Sequence, residues 1–385
     1  MLYGLDKHQK RNFNLVTLAN FFLFCNFSSF FLLPLFIKSL GGSEAQIGFI
    51  MGSFGITSLG SLPIVGYLID KYGRRKFMLL GAAVMSLASF GNLFITEIGY
   101  LIYIPRLLQG VGFAFFFTSA ATAAADFVPF ERRGQGLGIF GAFTIASYAI
   151  GPPVGEALID SVGFKAFFIA SSSFSLIACA LAYASEDADV KRAGDSSGLD
   201  FFRLAFSSRF APVFLTNLAL AGGFGAFLNF ISTYLKSKEL NVYYFFLTYS
   251  IVVTAVRVFA GRISDVVDRT KIVAPSLLFF SIALGAISLI DRAWELIVVA
   301  LLFSLSYGML YPTLSALVMD KAMDTERGKA MGAFNATFSF GINFLAFGFG
   351  LVAEGWGYEG MYLAAAVFSF VGFLIFVSFE LKRRG

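Results

Sequence analysis

Long apolar segments dominate this sequence and leave few folds open to it. Between clusters of charged residues, stretches of about 20 to 27 residues consist mostly of Phe, Leu, Ala, Gly, Ile and Val. About 20 helical residues cross the roughly 30 Å hydrocarbon core of a bilayer. The chain is 57% hydrophobic and 14% charged, whereas soluble domains are about 45 to 50% apolar and about 25% charged. The sequence therefore predicts an integral membrane protein.

Twelve such segments can be placed along the chain. A membrane-spanning β-barrel would show segments of about ten residues with alternating polarity. That alternation is not visible, so we expect an all-α membrane protein with twelve transmembrane helices. The segments, numbered 1 to 12 in chain order, cover residues 13–35, 46–69, 77–96, 98–124, 133–157, 164–184, 210–235, 242–263, 271–290, 293–319, 328–353 and 359–380.

An internal repeat divides these segments into two sets of six. The string GYLIDKYGRRK at 66–76 returns in degraded form as GRISDVVDRTK at 261–271, 195 positions later in a chain of 385 residues. A repeat offset by half the chain is typical of a fold built from two similar halves. We therefore expect two pseudo-symmetric six-helix bundles, at 1–184 and 210–385, joined by a polar cytoplasmic linker at 185–209.

The distribution of Lys and Arg predicts the orientation in the membrane. Of the 29 such residues, 22 lie in the two termini and in the loops after even-numbered segments, and five lie on the opposite side. Cytoplasmic loops carry the excess of Lys and Arg, so both termini are expected in the cytoplasm and the protein in the cytoplasmic (inner) membrane. Because these cations are spread over many loops, the net charge of +5 indicates no nucleic-acid partner. The first apolar segment is too long for a signal peptide, so we expect it to be a helix.

Three motifs resemble those of the major facilitator superfamily, over nearly the full length of the chain. The first is similar to the family signature between segments 2 and 3, and its matching residues are Gly66, Asp70, Lys71, Gly73, Arg74 and Arg75, with Gly261, Asp265 and Arg269 kept in the second copy. Segment 4 carries Arg106, Gln109 and Gly110. Segment 5 resembles the glycine–proline motif of the family's antiporters through Gly138, Gly151, Pro152 and Gly155, although Ser147 and Glu156 stand where glycine is usual. The chain is most similar to the 12-helix drug/proton antiporter-like exporters.

The resemblance implies a secondary transporter that works by alternating access, with the repeated signature at its cytoplasmic gate. Glycines in segments 2 and 8 would let neighbouring helices pack closely, and the aspartates would face the positive N-terminal ends of segments 11 and 5. Arg74 is expected to pair with Asp126, and Arg269 with Asp320. A purely topological role for the basic residues after segment 2 is the alternative. The predicted gating residues are Gly66, Asp70, Arg74, Arg75, Asp126, Gly261, Asp265, Arg269 and Asp320.

Segments 1, 4, 7 and 10 line the central cavity in the resembled family. Their polar residues are few and their aromatic residues many. The predicted substrate-binding residues are Asn20, Phe24, Arg106, Gln109, Phe113, Asn217, Phe224, Tyr307 and Tyr311. Arg106 is singled out because charge within the membrane is expensive and usually functional. No Asp or Glu lies at the middle of these segments, so Glu156 and Arg106 are the candidates for proton coupling, and uniport or exchange stays open.

The function predicted from these residues is export of hydrophobic or amphipathic small molecules, with proton coupling as an option. One alternative is transport of an organic anion or anionic lipid, with Arg106 as the charge partner. A membrane sensor that binds ligand without moving it is another. The sequence has no HExxH motif, nucleophile elbow or pair of mid-membrane carboxylates, so we expect no enzyme. We further expect a monomer in the lipid bilayer that needs no cofactor or metal.

Overall fold

The computed structural model describes residues 6–129, 132–187, 209–323 and 326–381, apart from the side chains of residues 258–266 and 381. Every regular element of these residues is helical, which confirms the predicted all-α class. The chain forms two compact units. The first comprises Met1–Gly41 and Ser53–Gly194, and the second comprises Gly42–Gly52 and Asp195–Gly385.

Eight α-helices belong wholly or mainly to the first unit in the described part of the chain. Long apolar sequences form them, because in a bilayer a helix satisfies its own backbone hydrogen bonds. Helix α4 packs against α5 and α8, and α1 packs against α8. The helices are α1 (Lys7–Ser29), α2 (Leu33–Ser39), α3 (Glu44–Tyr72), α4 (Arg74–Gly91), α5 (Tyr103–Asp126), α6 (Arg133–Ala146), α7 (Gly151–Ser161) and α8 (Phe164–Ala184).

Segment 5 is not the single helix that the sequence predicts at 133–157. A 3₁₀ turn at Ser147–Ala149 separates α6 from α7, and Pro152 lies in the first turn of α7. Proline has no backbone N–H to donate to a preceding turn, so it favours the start of a helix over its interior. Segment 1 is likewise divided, by the 3₁₀ turn Phe30–Leu32 between α1 and α2.

The second unit contains five further α-helices in the described residues, together with the start of α3. Helix α9 packs against α13, α10 against α12, and α11 against both α12 and α13. The longest, α13, runs through Gly357, whose φ of 71° and ψ of 175° are not helical. Predicted segments 11 and 12 therefore correspond to the two sides of this glycine. The helices are α9 (Ala211–Ser237), α10 (Tyr243–Val266), α11 (Arg269–Ile287), α12 (Ala293–Lys321) and α13 (Arg327–Phe376).

Ten helical stretches of the described residues are long and apolar enough to cross a membrane. One of the ten, Arg327–Glu380, has 54 residues and contains the break at Gly357. Helix α10 is not among them, since only part of it is described. The multi-pass character is confirmed, and the number of twelve crossings stays a prediction.

Small and polar residues hold the helices of the first unit together. A Cβ atom placed on Gly81 of α4 would lie 2.6 Å from the Gly112 carbonyl oxygen of α5, so the two backbones touch where only glycine fits. Asn26 of α1 is fully buried and donates from Nδ2 to Ser89 Oγ at 2.7 Å and to the Ser171 carbonyl oxygen at 2.6 Å. This one amide therefore links α1 to both α4 and α8.

Candidate functional site

Arg106 is buried inside the first unit. Two hydrogen-bond donors there, one of Arg106 and one of Gln109, have no partner. Its side chain on α5 is 5% exposed and donates from an η nitrogen to Gln109 Oε1 at 3.0 Å. Residues three apart share a helix face, so the two side chains point the same way. The guanidinium lies 5.0 Å from the centroid of the Phe54 ring. Arg106 Nε and Gln109 Nε2 are buried without a hydrogen-bond partner, which leaves two donors for an acceptor group.

Phenylalanine rings from α1, the 3₁₀ turn after it, α3 and α5 pack together, and one of them, Phe54, contacts this arginine. We call Phe24, Phe27, Phe31, Phe54, Phe113 and Phe117 the first aromatic cluster. Phe24 lies 5.5 Å from Phe113 between ring centroids, and Phe54 lies 5.4 Å from Phe113. The structure therefore brings the predicted residues Phe24 and Phe113 together, and connects them to Arg106 through Phe54. Sequence reasoning missed Phe54 because segment 2 was not expected to contribute to the substrate site.

Asn20 links α1 to α6 through one end of its side-chain amide. It is fully buried in α1 and donates from Nδ2 to Thr144 Oγ1 on α6 at 2.8 Å. Its Oδ1 atom has no partner. One end of the amide thus ties two helices together, and only the acceptor end is available to a ligand.

A second aromatic cluster lies inside the second unit. We define it as Phe224, Phe227, Tyr249, Phe303, Tyr307 and Phe338, contributed by α9, α10, α12 and α13. Phe224 stacks on Tyr307 with centroids 4.2 Å apart and ring planes 7° from parallel. The predicted residues Phe224 and Tyr307 are therefore in direct contact. Sequence reasoning missed Phe227, Phe303 and Tyr249, since with 50 Phe in the chain no pattern separates cluster rings from lipid-facing ones.

The other two predicted residues of this unit lie beside the second aromatic cluster. The Tyr311 hydroxyl donates to Asn335 Oδ1 at 3.0 Å, and its ring lies 4.7 Å from that of Phe338. Asn217 is fully buried and donates to the Phe334 carbonyl oxygen at 2.8 Å. Asn217 therefore satisfies a backbone group of α13, with its own Oδ1 left without a partner.

The first copy of the repeated signature forms a charged network at the ends of three helices. Arg74 Nε donates to Asp126 Oδ2 at 3.1 Å, and an η nitrogen lies 3.4 Å from Asp70 Oδ1. The same guanidinium donates to the Ile69 carbonyl oxygen at 3.1 Å. The Arg74 and Asp126 side chains are 14% and 9% exposed, whereas Asp70 is 49% exposed. The expected Arg74–Asp126 ion pair is present, and its role in gating stays a prediction.

Asp187, at the start of the predicted linker, caps the helix that carries this network. Its Oδ1 atom accepts hydrogen bonds from the backbone N–H groups of Arg74 and Arg75, both at 2.8 Å. A carboxylate at a helix N-terminus satisfies free donors and the positive end of the helix dipole. The Arg75 side chain also donates to the Tyr183 carbonyl oxygen. Sequence reasoning gave the linker no role and so missed Asp187.

The second copy is only partly described. Arg269 pairs with Asp320, as expected, and donates to the Ala316 carbonyl oxygen at 3.1 Å. This pair is more open than the first, with side chains 23% and 52% exposed. The surroundings of Gly261 and the side chain of Asp265 lie outside what the structure describes.

Close packing at Gly66 is an expectation that the structure does not meet. A Cβ atom placed there would have no described atom within 4 Å. Two other glycines of α3, Gly48 and Gly52 near its other end, do have backbone atoms of α13 close by. The sequence motif lies on α3, but the glycines of α3 with these close contacts, Gly48 and Gly52, are not part of the motif.

The glycine–proline motif of segment 5 packs α7 against the first segment. A Cβ atom on Gly151 would lie 2.6 Å from the Cys25 carbonyl oxygen, and one on Gly155 would lie 2.8 Å from Leu32 Cδ1. Glu156, the candidate for proton coupling, follows directly and is 3% exposed. The geometry gives the glycines a packing role, and coupling through Glu156 stays a prediction.

A cavity of about 330 Å³ lies elsewhere in the first unit. It contains none of the predicted substrate-binding residues. Its walls come from the ends of α2 and α8 and from the chain after α4, and they are formed by Phe36, Asn92, Leu93, Ile95, Thr96, Val162, Gly163, Phe164, Lys165 and Phe168.

Two charged contacts lie outside the membrane-spanning segments. Glu186 Oε2 lies 2.8 Å from His8 Nε2, and this hydrogen bond lowers the pKa of Glu186 below its usual value. Lys238 Nζ lies 2.8 Å from both Asp291 Oδ1 and Glu359 Oε1, and these bonds, chiefly that to Asp291, raise the pKa of Lys238. The first contact ties the start of the predicted linker to α1.

Comparison with known proteins places the chain in a family. The family model described as Major Facilitator Superfamily matches residues 15–257 and 239–384. An uncharacterized MFS-type transporter of Methanocaldococcus jannaschii is 26% identical over 354 residues, which cover 88% of this chain and 90% of that protein. The multi-drug resistance efflux pump PmrA of Streptococcus pneumoniae is 30% identical over 192 residues, 49% of this chain and 47% of the pump. The match to PmrA therefore spans about half of each protein.

A solved structure shows the same fold. The crystal structure of the nucleoside transporter NupG aligns with a TM-score of 0.81 at 15% identity, covering 95% of this chain and 98% of NupG. At this sequence identity the structural match shows the fold alone. Because the family model covers most of the chain, this protein belongs to the Major Facilitator Superfamily and is an integral, multi-pass membrane transporter.

Proposed function

We propose that this transporter exports hydrophobic or amphipathic small molecules by alternating access. The observation that carries the proposal is the pair of aromatic clusters, one in each unit, on helices α1, α3 and α5 and on α9, α10, α12 and α13. Aromatic faces bind apolar and planar compounds through stacking and burial, with little demand for a particular pattern of hydrogen bonds. Such a surface suits a range of apolar cargoes better than one polar metabolite.

A relative and a sequence motif also support export. PmrA, which matches about half of this chain, is described as a multi-drug resistance efflux pump. The glycine–proline motif at Gly151, Pro152 and Gly155 also resembles that of antiporters in the family. Both observations favour export of a chemical class of compounds.

Transport by ring-deletion variants tests the proposal. Phe224→Ala removes the ring that stacks on Tyr307 and should weaken the apparent affinity for an amphipathic dye about five- to tenfold, the effect of about 1 to 1.4 kcal/mol. Phe279→Ala is the matched control, since Phe279 is 50% exposed on α11 of the same unit. Equal dye affinity in both variants, with both folded by thermal stability, would contradict the proposed role of the second cluster.

A second candidate cargo is an organic anion or an anionic lipid. It is favoured by Arg106 Nε and Gln109 Nε2, two buried donors without a partner. A carboxylate or phosphate oxygen is the acceptor that an arginine binds most strongly. Arg106→Ala should then abolish transport of an anionic dye and spare neutral and cationic dyes. Uniform loss of all three would point to a structural arginine and remove this candidate.

The cytoplasmic gate is part of the same proposal. We propose that the protein lies in the inner membrane with both termini in the cytoplasm. Of the 29 Lys and Arg residues, 22 lie in the termini and in the loops on the same side as the termini, and cytoplasmic loops carry the excess of these residues. Asp70, at the last turn of α3, would then accept hydrogen bonds from the start of α13 when that side closes. Asp70→Asn should change the transport rate, and an unchanged rate would oppose a gating role.

Proton coupling of export is the last part of the proposal. Glu156, a carboxylic acid that is 3% exposed on α7, is the residue proposed to couple export to protons. Glu156→Gln should remove the effect of a pH gradient on dye export while downhill exchange continues. Export by the variant that still follows the pH gradient would assign coupling to another group.

A further inference from the structure

The cavity of the first unit has a wall of packed aromatic rings. Phe36 of α2 lies 5.2 Å from Phe164 and 4.9 Å from Phe168 of α8 between ring centroids, and both pairs are edge to face. All three residues line the cavity. Phe36 and Phe168 are only 7% and 1% exposed, so their neighbours hold them in place. Such a wall can bind a hydrocarbon chain, because the chain removes apolar surface from water there.

The same cavity contains polar side chains that are not fully used within the protein. Lys165 is the one charged residue among those that line it, and it forms no ion pair with another described residue. Asn92 also lines it and is 2% exposed. The Asn92 Nδ2 atom donates to the Ala88 carbonyl oxygen at 2.9 Å, whereas its Oδ1 atom accepts from no residue in the described part of the chain. A buried amide oxygen needs a donor, which a ligand hydroxyl or amine can supply.

Helix α8 begins at the cavity and contributes backbone donors. Gly163, Phe164 and Lys165 line it, and no side chain caps the first turn of α8. The first N–H groups of a helix have no partner within that helix, and the positive end of its dipole favours negative charge. Together with the Lys165 ammonium, these donors match a phosphate or a carboxylate. The cavity therefore combines an apolar wall with an anion-binding end.

The position of the cavity points to a lipid as its ligand. It is formed at the ends of α2 and α8 and after α4, which are all ends of membrane-spanning segments on the predicted outer side. Lipid headgroups lie at this level of a bilayer. Val162 lines the cavity and is 71% exposed, and Phe94, next to the lining residue Leu93, is 72% exposed. Large apolar side chains this exposed on a membrane protein face lipid, so the cavity lies beside the bilayer.

We propose that this cavity binds one anionic phospholipid of the predicted outer leaflet. Its phosphate lies against Lys165 and the start of α8, and the upper part of one acyl chain lies along Phe36, Phe164 and Phe168. A hydroxyl of the headgroup, such as that of glycerol, donates to Asn92 Oδ1. The volume of about 330 Å³ accepts a headgroup and the first methylenes of a chain, with the rest of the lipid in the bilayer. This lipid is bound and not carried, so the inference stands apart from the proposed export.

Quenching of tryptophan fluorescence by brominated lipid measures this binding in vesicles. The two native tryptophans, Trp294 and Trp356, lie in the second unit. Replacing both by Phe and introducing Phe164→Trp places one reporter in the cavity wall. The protein is reconstituted in brominated phosphatidylcholine, and unbrominated phosphatidylglycerol is added. The loss of quenching gives the binding constant of the anionic lipid relative to phosphatidylcholine. We expect a value of about three to ten, the effect of one lysine near an anionic lipid.

Variants of the charge and of the cavity test the two parts of the site separately. Lys165→Gln should lower the relative binding constant to about one, and Lys165→Glu should lower it further by repulsion, while Lys165→Arg should keep the preference. Thr96 lines the cavity and is exposed in a non-helical stretch. Thr96→Phe fills the cavity and leaves Lys165 in place, so it should also remove the preference. A preference that persists in Thr96→Phe would assign the effect to surface charge alone and overturn the site.

Matched controls separate the cavity from general attraction of anionic lipid. Trp356, kept alone by Trp294→Phe, is 75% exposed and does not line the cavity, so it should report a relative binding constant of about one or below. Lys236→Gln removes a lysine of the second unit and should leave the constant at the Phe164→Trp reporter unchanged. The proposal is overturned if that reporter also gives a constant of one, or if Lys165→Gln keeps the preference in folded protein. Displacement of brominated lipid by lauric acid, without displacement by phosphatidylglycerol, would assign the cavity to a soluble amphipathic anion and overturn the phospholipid.

Discussion

The ion pair between Arg74 and Asp126 should contribute more to stability than its counterpart in the second copy of the repeat. The two pairs have the same residue types at corresponding places, but they differ in burial. Arg74 and Asp126 are 14% and 9% exposed, and Arg269 and Asp320 are 23% and 52% exposed. The chain therefore contains its own matched comparison of one interaction in two environments.

The magnitude follows from the burial of each pair. Removing one partner of a fully buried pair costs about 3 to 5 kcal/mol, and an exposed pair contributes about 0.2 to 1 kcal/mol. In Asp126→Asn the amide oxygen can still accept from Arg74 Nε, and Arg74 keeps its bond to the Ile69 carbonyl oxygen. We therefore expect a loss of about 2 kcal/mol for Asp126→Asn and about 0.5 kcal/mol for Asp320→Asn.

Reversible unfolding in mixed detergent micelles, with increasing SDS, measures both losses on the same scale. Arg74→Met and the double variant Arg74→Met/Asp126→Asn complete a double-mutant cycle, which isolates the pair from the other contacts of each residue. Equal losses for Asp126→Asn and Asp320→Asn, or a larger loss for Asp320→Asn, would refute the reasoning from burial.

Three further predictions follow from single contacts. Gly112→Ala should destabilise the protein by about 1 to 3 kcal/mol, because the new methyl group meets backbone atoms of α4. Gly141→Ala, which meets nothing within 4 Å, should instead be neutral or stabilising by up to about 1 kcal/mol, and the same SDS titration compares the two. Asn26→Ala should cost about 1 to 2 kcal/mol through two lost interhelical hydrogen bonds, and an unchanged SDS midpoint would show that Asn26 is dispensable. The His8 contact lowers the pKa of Glu186 below 4.5, so the contact should persist above pH 4.5 and be lost as the pH falls through the lowered pKa. Hydrogen exchange of the first turns of α1, corrected for intrinsic rates, should show this loss of protection. Glu186→Gln should remove the pH dependence of that protection.

The sequence was sufficient for the fold class because bilayer thickness and hydrogen-bond satisfaction constrain a spanning chain so strongly. Apolar length located the helices to within a few residues at most ends, as in predicted segment 6 and α8, both at 164–184. The interruption of segment 5 was missed, although Pro152 and its flanking glycine were visible. Hydrophobicity reports that a segment spans the membrane, and it carries little information on whether the helix is continuous.

The candidate site was predictable in part, for reasons that differ between residues. Arg106 was identified because a charge inside an apolar segment is rare, and its donors are indeed buried. The Phe24–Phe113 and Phe224–Tyr307 contacts agree with the predicted helices, but Phe54 and Phe227 could not be separated from the many other phenylalanines. Asp187 was missed because a carboxylate that caps another helix has no signal in its own neighbourhood.

Counterflow by purified protein in proteoliposomes tests the central claim most directly. The vesicles are loaded with unlabelled amphipathic dye and diluted into a trace of labelled dye. Labelled dye accumulates inside them only if a carrier exposes one site to each side in turn. The account predicts transient accumulation of labelled dye above its external concentration, and loss of that accumulation when a competing amphipathic compound is added. Uptake no greater than that of protein-free vesicles, across cationic, neutral and anionic dyes, would contradict it.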